Sequence, residues 1–108
     1  LTVYEGAEQQ RRPYLHVQDS VRSMLFAADN LGDGEAYNVV GQNGRLQDVV
    51  DAIENHFPDV EIGYTEAEQL NQLSYVVSDE KIRNEGFETC YTLDQGVEEL
   101  AHKFSALI

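Results

Sequence analysis

Thiols are almost absent from the sequence, in which Cys90 is the single cysteine among 108 residues. One thiol excludes an internal disulfide, and it excludes a zinc site built from several thiolates. A lone free cysteine usually behaves as a small apolar side chain. We therefore expect Cys90 to be a packing residue.

Long apolar runs are also missing. No stretch approaches the roughly 20 apolar residues that a transmembrane helix needs, and no basic segment followed by an apolar one opens the chain as in a signal peptide. We therefore expect a cytoplasmic location and no membrane partner. Because residue 1 is Leu rather than Met, we expect the sequence to be a cut or processed piece of a longer protein.

Positive charge is scarce. Twenty Asp and Glu oppose seven Lys and Arg, which gives a net charge of −13, and Lys81 and Lys103 are the two lysines. A field of this sign repels a phosphate backbone, so we expect no nucleic-acid partner. An acid excess with little lysine suggests a halophilic source, and an ordinary soluble acidic domain is the alternative. Arg11 and Arg12 form a local cationic spot.

Catalytic motifs are missing as well. The sequence contains no Gly-x-Gly-x-x-Gly, no Walker loop, no His-Glu-x-x-His and no Gly-x-Ser-x-Gly pattern. No pair of carboxylates is spaced convincingly for acid–base catalysis. We therefore predict no catalytic residue and no metal site within these 108 residues.

The patterning that is present predicts a mixed α/β fold. Hydrophobic residues make up 42% of the chain, enough for residues 1–108 to form one domain or part of one. Apolar residues at helical spacing predict about four helices, and β-rich stretches predict a small sheet. The predicted helices are 17–29, 45–57, 79–84 and one following a capping box at Thr92–Gln95. The predicted strands are 1–4, 14–17, 36–40 and 60–65.

Each longer helix has one apolar face, which we expect to dock on the sheet. On the first helix this face consists of Val17, Val21, Met24, Leu25 and Ala28. On the second it consists of Leu46, Val49, Val50, Ile53 and Phe57.

Two features suggest ligand binding. Pro13 holds Arg12 extended, and an extended arginine can present its planar fork to a phosphate. Tyr75 lies in an apolar extended stretch, where its hydroxyl group needs a partner such as a ligand sugar. The alternatives are a solvated loop for Arg11 and Arg12 and a packing role for Tyr75.

Two further features favour structural roles. His16 and Asp19 are spaced as two metal ligands, but two ligands do not make a site, so we expect Asp19 to cap the first helix. The GQNG stretch at 41–44 lies between a predicted strand and a helix, where phosphate can bind. A simple turn is the favoured interpretation.

Six motifs in order resemble the C-terminal portion of the NAD-dependent sugar-nucleotide epimerases and dehydratases, which are extended short-chain dehydrogenases. The resemblance covers essentially the whole chain. The residues that carry it are Gly6, Gln10, Arg12, His16-Val17, Asp19, Tyr37-Asn38-Val39, Tyr75, Asp79, Lys81-Ile82-Arg83, Gly86-Phe87 and Leu93.

The resemblance implies the substrate-side part of an isomerase or lyase. It implies that NAD is bound by a missing N-terminal Rossmann part, which also carries a catalytic Tyr-x-x-x-Lys pair. It further implies that Arg12 contacts the nucleotide or diphosphate of a nucleotide-sugar and that Tyr75 lines the same pocket.

The chain departs from the family just before Tyr75. The family places arginines there, whereas residues 66–75 read EAEQLNQLSY. This departure implies either a less charged ligand or a compensating role for Arg11. The alternative function is a non-catalytic acidic interaction or dimerisation domain derived from the same fold. We also expect a homodimer, because a sheet that lacks its neighbours exposes strand edges.

Overall fold

The architecture is mixed α/β, as predicted. The computed structural model describes residues 2–4, 6–32, 34–65 and 74–104. Within these residues four strands and four helices follow one another along the chain. They are β1 (Thr2–Tyr4), β2 (Arg11–Tyr14), α1 (Val17–Asn30), β3 (Gln42–Arg45), α2 (Leu46–His56), β4 (Gly63–Thr65), α3 (Glu80–Asn84) and α4 (Leu93–Phe104).

The described strands form two separate pairs rather than one sheet. Strand β1 pairs in parallel with β4. Strand β2 pairs antiparallel with β3, with Arg11 opposite Arg45 and Arg12 opposite Gly44. Backbone hydrogen bonds extend this second pair, because the Leu46 amide donates to the Gln10 carbonyl oxygen at 3.0 Å. The start of α2 is therefore tied to the loop that precedes β2.

Side chains close the helix ends. The predicted capping box of α4 is confirmed, since the Gln95 amide donates to Thr92 Oγ1 at 3.1 Å and the Thr92 amide donates to Gln95 Oε1 at 2.9 Å. Helix α2 begins at a second reciprocal pair, Arg45 and Asp48. Gly86 follows the last turn of α3, and its φ of 104° is one that only glycine adopts without strain.

The core lies mainly between α2 and α4, which pack against each other. On α2 the buried residues are Val50, which lies on the predicted apolar face, and Ala52, which lies outside it. The other four residues of the predicted face are half-buried. On α4 Val97 is buried, whereas Leu100 and Phe104 are exposed. A second buried group contains Ile82 and Phe87, near the end of α3.

The predicted burial of the first helix is wrong. Val17, Val21, Met24 and Leu25 are all exposed, and the buried residues of α1 are Asp19 and Ser23. The helix instead contacts the rest of the chain through its more polar side, where Phe26 packs on Phe87 with ring centroids 5.4 Å apart.

Three strand predictions need correction. The strand expected at 14–17 lies at Arg11–Tyr14. Most of the 41–44 turn is strand β3, because it pairs with β2. Residues 36–40 join neither described sheet, although Val40 is buried. A strand needs a hydrogen-bonded partner strand, and this segment is not assigned to either described pair.

No helix within the described ranges is long and apolar enough to cross a bilayer.

Candidate ligand-binding site

Strand β2 lies beside the extended segment 74–77. The Tyr75 amide donates to the Arg11 carbonyl oxygen at 3.1 Å. The Arg11 amide donates in turn to Ser74 Oγ at 2.9 Å. Residues more than sixty positions apart in the sequence are thereby held side by side.

The side chains of Arg12 and Tyr75 meet at this contact. The guanidinium carbon of Arg12 lies 5.2 Å from the centroid of the Tyr75 ring, within cation–π range. Arg12 Nη1 donates to the Arg11 carbonyl oxygen at 2.8 Å, which uses one of the five guanidinium donors. The side chains of Arg12 and Tyr75 are therefore brought together, whereas Arg11 is joined to Tyr75 through its backbone carbonyl oxygen.

Asn43 holds this arrangement together, and sequence reasoning missed it. Its Nδ2 donates to the Val77 carbonyl oxygen and its Oδ1 accepts from the Val77 amide, both at 2.9 Å. The amide side chain thus pairs with segment 74–77 as a neighbouring strand would. The Asn43 carbonyl oxygen also accepts from Arg11 Nη1 at 3.4 Å. No local sequence pattern indicates these two hydrogen bonds, because Asn43 and Val77 lie 34 residues apart.

The other three arginines differ from this pair because each has a carboxylate partner. Arg22 Nη1 lies 2.7 Å from Asp19, Arg45 Nη2 lies 3.0 Å from Asp48, and Arg83 Nε lies 2.7 Å from Asp79. Among the described residues, neither Arg11 nor Arg12 has a carboxylate within ion-pair distance. Two arginines that form no ion pair within the described ranges, on a chain of net charge −13, are suited to an anion.

The prediction that Asp19 caps α1 is wrong, because His16 is the cap. His16 caps α1, because its Nδ1 accepts from the Gln18 amide at 3.0 Å. Asp19 is fully buried and accepts the Cys90 amide at 2.9 Å and the Tyr91 amide at 3.0 Å. Burial raises the pKa of Asp19, but these hydrogen bonds and the Arg22 guanidinium outweigh it and hold the pKa below its usual range.

The Tyr91 ring continues this network towards α4. It stacks on His16 with ring centroids 4.1 Å apart. Because Nδ1 of His16 accepts a hydrogen bond, Nε2 carries the proton and donates to Glu99 at 2.7 Å. That bond and one from Lys103 lower the pKa of Glu99. These residues line one side of a cavity of about 350 Å³, whose other walls are mostly apolar.

Cys90 is exposed, so the packing role expected for it is wrong.

One group of side chains could act as metal ligands. In the described part of the chain, ligand atoms of His56, Asp94 and Glu98 lie within 4.8 Å of one another. His56 Nε2 already lies 3.1 Å from Asp94 Oδ1, so a hydrogen bond accounts for this pair.

Comparison with solved structures places this arrangement among known folds. No protein-family model matches the sequence. The dTDP-glucose 4,6-dehydratase of Bacillus anthracis str. Ames, in complex with NAD, matches with a TM-score of 0.80 at 26% identity. The match covers 98% of this chain and 34% of the dehydratase.

Two other structures match similarly. RMD from Pseudomonas aeruginosa, complexed with NADPH, has a TM-score of 0.82 at 18% identity, over 99% of this chain and 37% of its own. TunA, an NAD-dependent NDP-hexosamine 5,6-dehydratase involved in tunicamycin biosynthesis, has a TM-score of 0.76 at 19% identity. That match covers 98% of this chain and 35% of TunA.

The chain has the fold of the extended short-chain dehydrogenases. The predicted resemblance to the NAD-dependent epimerases and dehydratases is thereby confirmed. The chain spans about a third of the length of the structures it matches. Its sequence has no Gly-x-Gly-x-x-Gly pattern, the loop that receives a dinucleotide pyrophosphate.

Proposed function

We propose that this chain is the C-terminal, substrate-side part of an NAD-dependent nucleotide-sugar epimerase or dehydratase. It contributes ligand binding rather than catalysis. NAD, bound by the part of the enzyme outside this chain, supplies the hydride transfer. The single observation that carries the proposal is the contact between the Arg12 guanidinium and the Tyr75 ring, with no carboxylate in ion-pair distance of Arg12 among the described residues.

Each residue has a separate role in this proposal. The Arg12 guanidinium donates to the phosphate oxygens of the nucleotide, since its planar fork matches them. Arg11 supplies the second charge that the family places before Tyr75 and that this sequence lacks there. Tyr75 orients Arg12 through its ring face, and its hydroxyl group donates to the sugar.

A titration of the chain with dTDP-glucose, followed by NMR, tests this proposal. We expect the tyrosine signals to shift on binding and Arg12→Ala to weaken the affinity about tenfold, because a charge-assisted hydrogen bond is lost. Arg83→Ala is the matched control, since Arg83 is paired with Asp79 on α3. Equal losses in the two variants, or no binding at all, would overturn the proposal.

A second titration separates the two possibilities for the ligand. If Arg11 replaces the missing family arginine, dTDP binds more tightly than glucose, and Arg11→Ala removes most of the difference. If the ligand is less charged, dTDP gains nothing over the sugar. That result would contradict the role given to Arg11.

A further inference from the structure

A histidine and two carboxylates meet where α2 packs against α4. His56 is the last residue of α2, and Asp94 and Glu98 lie about one turn apart on α4. Residues four positions apart on a helix share one face, so the two carboxylates lie on the same side of α4. One ligand atom from each of the three residues lies within 4.8 Å of the other two. We name this group the His56 cluster.

A hydrogen bond accounts for two members of the His56 cluster but not for the third. His56 Nε2 lies 3.1 Å from Asp94 Oδ1, and Glu98 adds a second carboxylate beside this pair. In the described part of the chain, neither carboxylate has a lysine or arginine within ion-pair distance. With His56 neutral, the cluster therefore contains two negative charges and no positive one.

The other histidine contact of α4 shows how such a pair is balanced. His16 Nε2 donates to Glu99 at 2.7 Å, and Lys103 Nζ lies 3.2 Å from the same carboxylate. A lysine is thus the third member of that group, whereas a carboxylate is the third member of the His56 cluster. Within the described ranges, the His56 cluster therefore lacks the cation that the His16 contact has.

The dipole of α4 accounts for Asp94 but not for Glu98. The partial positive charge at the start of a helix favours acidic residues within the first turn. Asp94 is the second residue of α4, whereas Glu98 is the sixth and lies beyond that turn. The placement of Glu98 therefore needs another explanation, and the groups that it faces are His56 and Asp94.

The donor atoms suit a divalent transition metal. Imidazole nitrogen and carboxylate oxygen bind Zn²⁺ at about 2.0–2.2 Å, so two ligand atoms on one tetrahedral ion lie about 3.3 Å apart. The 3.1 Å between His56 Nε2 and Asp94 Oδ1 is close to this spacing. Glu98 is exposed, so its carboxylate can approach by a change of rotamer. Because Ca²⁺ and Mg²⁺ prefer oxygen ligands, the histidine favours Zn²⁺ over them.

We propose that His56, Asp94 and Glu98 bind one divalent transition-metal ion of the Zn²⁺ class and so link the end of α2 to α4. Three protein ligands leave the fourth position of a tetrahedral Zn²⁺ to water. The proposal goes beyond the proposed function, because it uses neither Arg12 nor Tyr75. It departs from the sequence-based prediction of no metal site, since His56 and Asp94 lie 38 positions apart and no local spacing joins them.

Calorimetric titration of the protein with ZnCl₂ tests this proposal. We expect one Zn²⁺ to bind per chain. The melting temperature should then rise by about 5 °C at saturating Zn²⁺, because an ion that binds only the folded state stabilises it. His56→Gln removes the nitrogen ligand and is expected to weaken the Zn²⁺ affinity by about 100-fold, the upper end of what losing a supporting residue of a metal site costs.

A pair of matched variants separates a built site from general attraction to an acidic surface. Glu98→Gln and Glu54→Gln each remove one negative charge from an exposed helix position, but Glu54 does not belong to the His56 cluster. We expect Glu98→Gln to weaken the Zn²⁺ affinity about tenfold and Glu54→Gln to leave it unchanged. Because both positions are exposed, this comparison stands even where His56→Gln fails to fold.

Three results would overturn the proposal. They are no saturable Zn²⁺ binding, Zn²⁺ binding that a folded His56→Gln variant retains, and equal losses of affinity in Glu98→Gln and Glu54→Gln. Each of them would leave Arg12-dependent binding of dTDP-glucose, and therefore the proposed function, unaffected.

Discussion

Helices α1 and α2 carry apolar stripes of the same kind, and the structure uses them differently. Helix α2 buries Val50 and Ala52 and packs against α4. Helix α1 buries Asp19 and Ser23 and exposes its apolar residues. The comparison shows that periodicity identifies the apolar face of a helix but not the element that covers it.

The buried side of α1 is held by hydrogen bonds as well as by the contact of Phe26 with Phe87. Asp19 accepts two backbone amides from residues 90 and 91 and an N–H group of Arg22. Both oxygens of this carboxylate are thus satisfied, which is the condition for burying a charge. A buried carboxylate therefore occupies on α1 the position that buried apolar side chains occupy on α2.

The largest effect is expected from removing the charge of Asp19. Asp19→Asn places an N–H₂ group where one oxygen accepts backbone amides, so hydrogen bonds to a charged group are lost. We expect a loss of about 3 kcal/mol in the free energy of unfolding, measured by urea denaturation. Asp29→Asn, at an exposed position of the same helix, is the control and should change little. Equal stability of the two variants would contradict this account of α1.

Lowering the pH should destabilise the protein by protonating the carboxylate of Asp19. The pKa of Asp19 lies below its usual range because the hydrogen bonds outweigh the cost of burial. Its contribution to stability is therefore complete above the unfolded-state pKa of about 3.9 and is lost as the pH falls through the lower native pKa. We expect denaturation curves between pH 5 and about pH 2 to show this loss in the parent protein. The loss should be smaller in Asp19→Asn.

The two apolar stripes can be compared directly by matched substitutions. Val50→Ala on α2 removes two buried methyl groups and should cost about 2 kcal/mol. Val21→Ala on α1 should stay within about 0.5 kcal/mol, because the side chain is already exposed. Thermal melts of the isolated chain measure both. A large loss of stability from Val21→Ala would mean that other residues of the chain cover Val21.

The smallest effect is expected at the start of α4. Thr92→Ala removes the Oγ1 atom that accepts the Gln95 amide and should cost about 1 kcal/mol. Because α4 packs against α2, the loss should appear as a lower melting temperature of the whole chain. Thr92→Ser retains the hydroxyl group and should recover most of the stability. No difference between these variants would show that the cap is unimportant here.

Local signals predicted much of the fold. The start of α4 follows from a capping box at Thr92–Gln95, and the end of α3 follows from Gly86. The bounds of α1 and α2 agree closely with the predicted helices. Each of these helix ends depends on residues that lie a few positions apart, so it can be recognised in the sequence alone.

The candidate site was predicted only in part. Arg11, Arg12 and Tyr75 were identified from charge, the following proline and the resemblance, and their binding role stays a proposal. Asn43 and Ser74 were missed, because their polar side chains resemble those of any loop. The two hydrogen bonds between Asn43 and Val77 form only when the tertiary structure brings β3 beside segment 74–77.

The sequence by itself determined the class of fold, the helix ends and the excess of negative charge. Those properties depend on neighbouring residues or on composition alone. Only the tertiary structure decided that Asp19 is buried, that His16 caps α1 and that the apolar face of α1 is exposed among the described residues. The physical reason is that burial depends on what lies opposite a side chain, and for α1 the described chain places little opposite its apolar face.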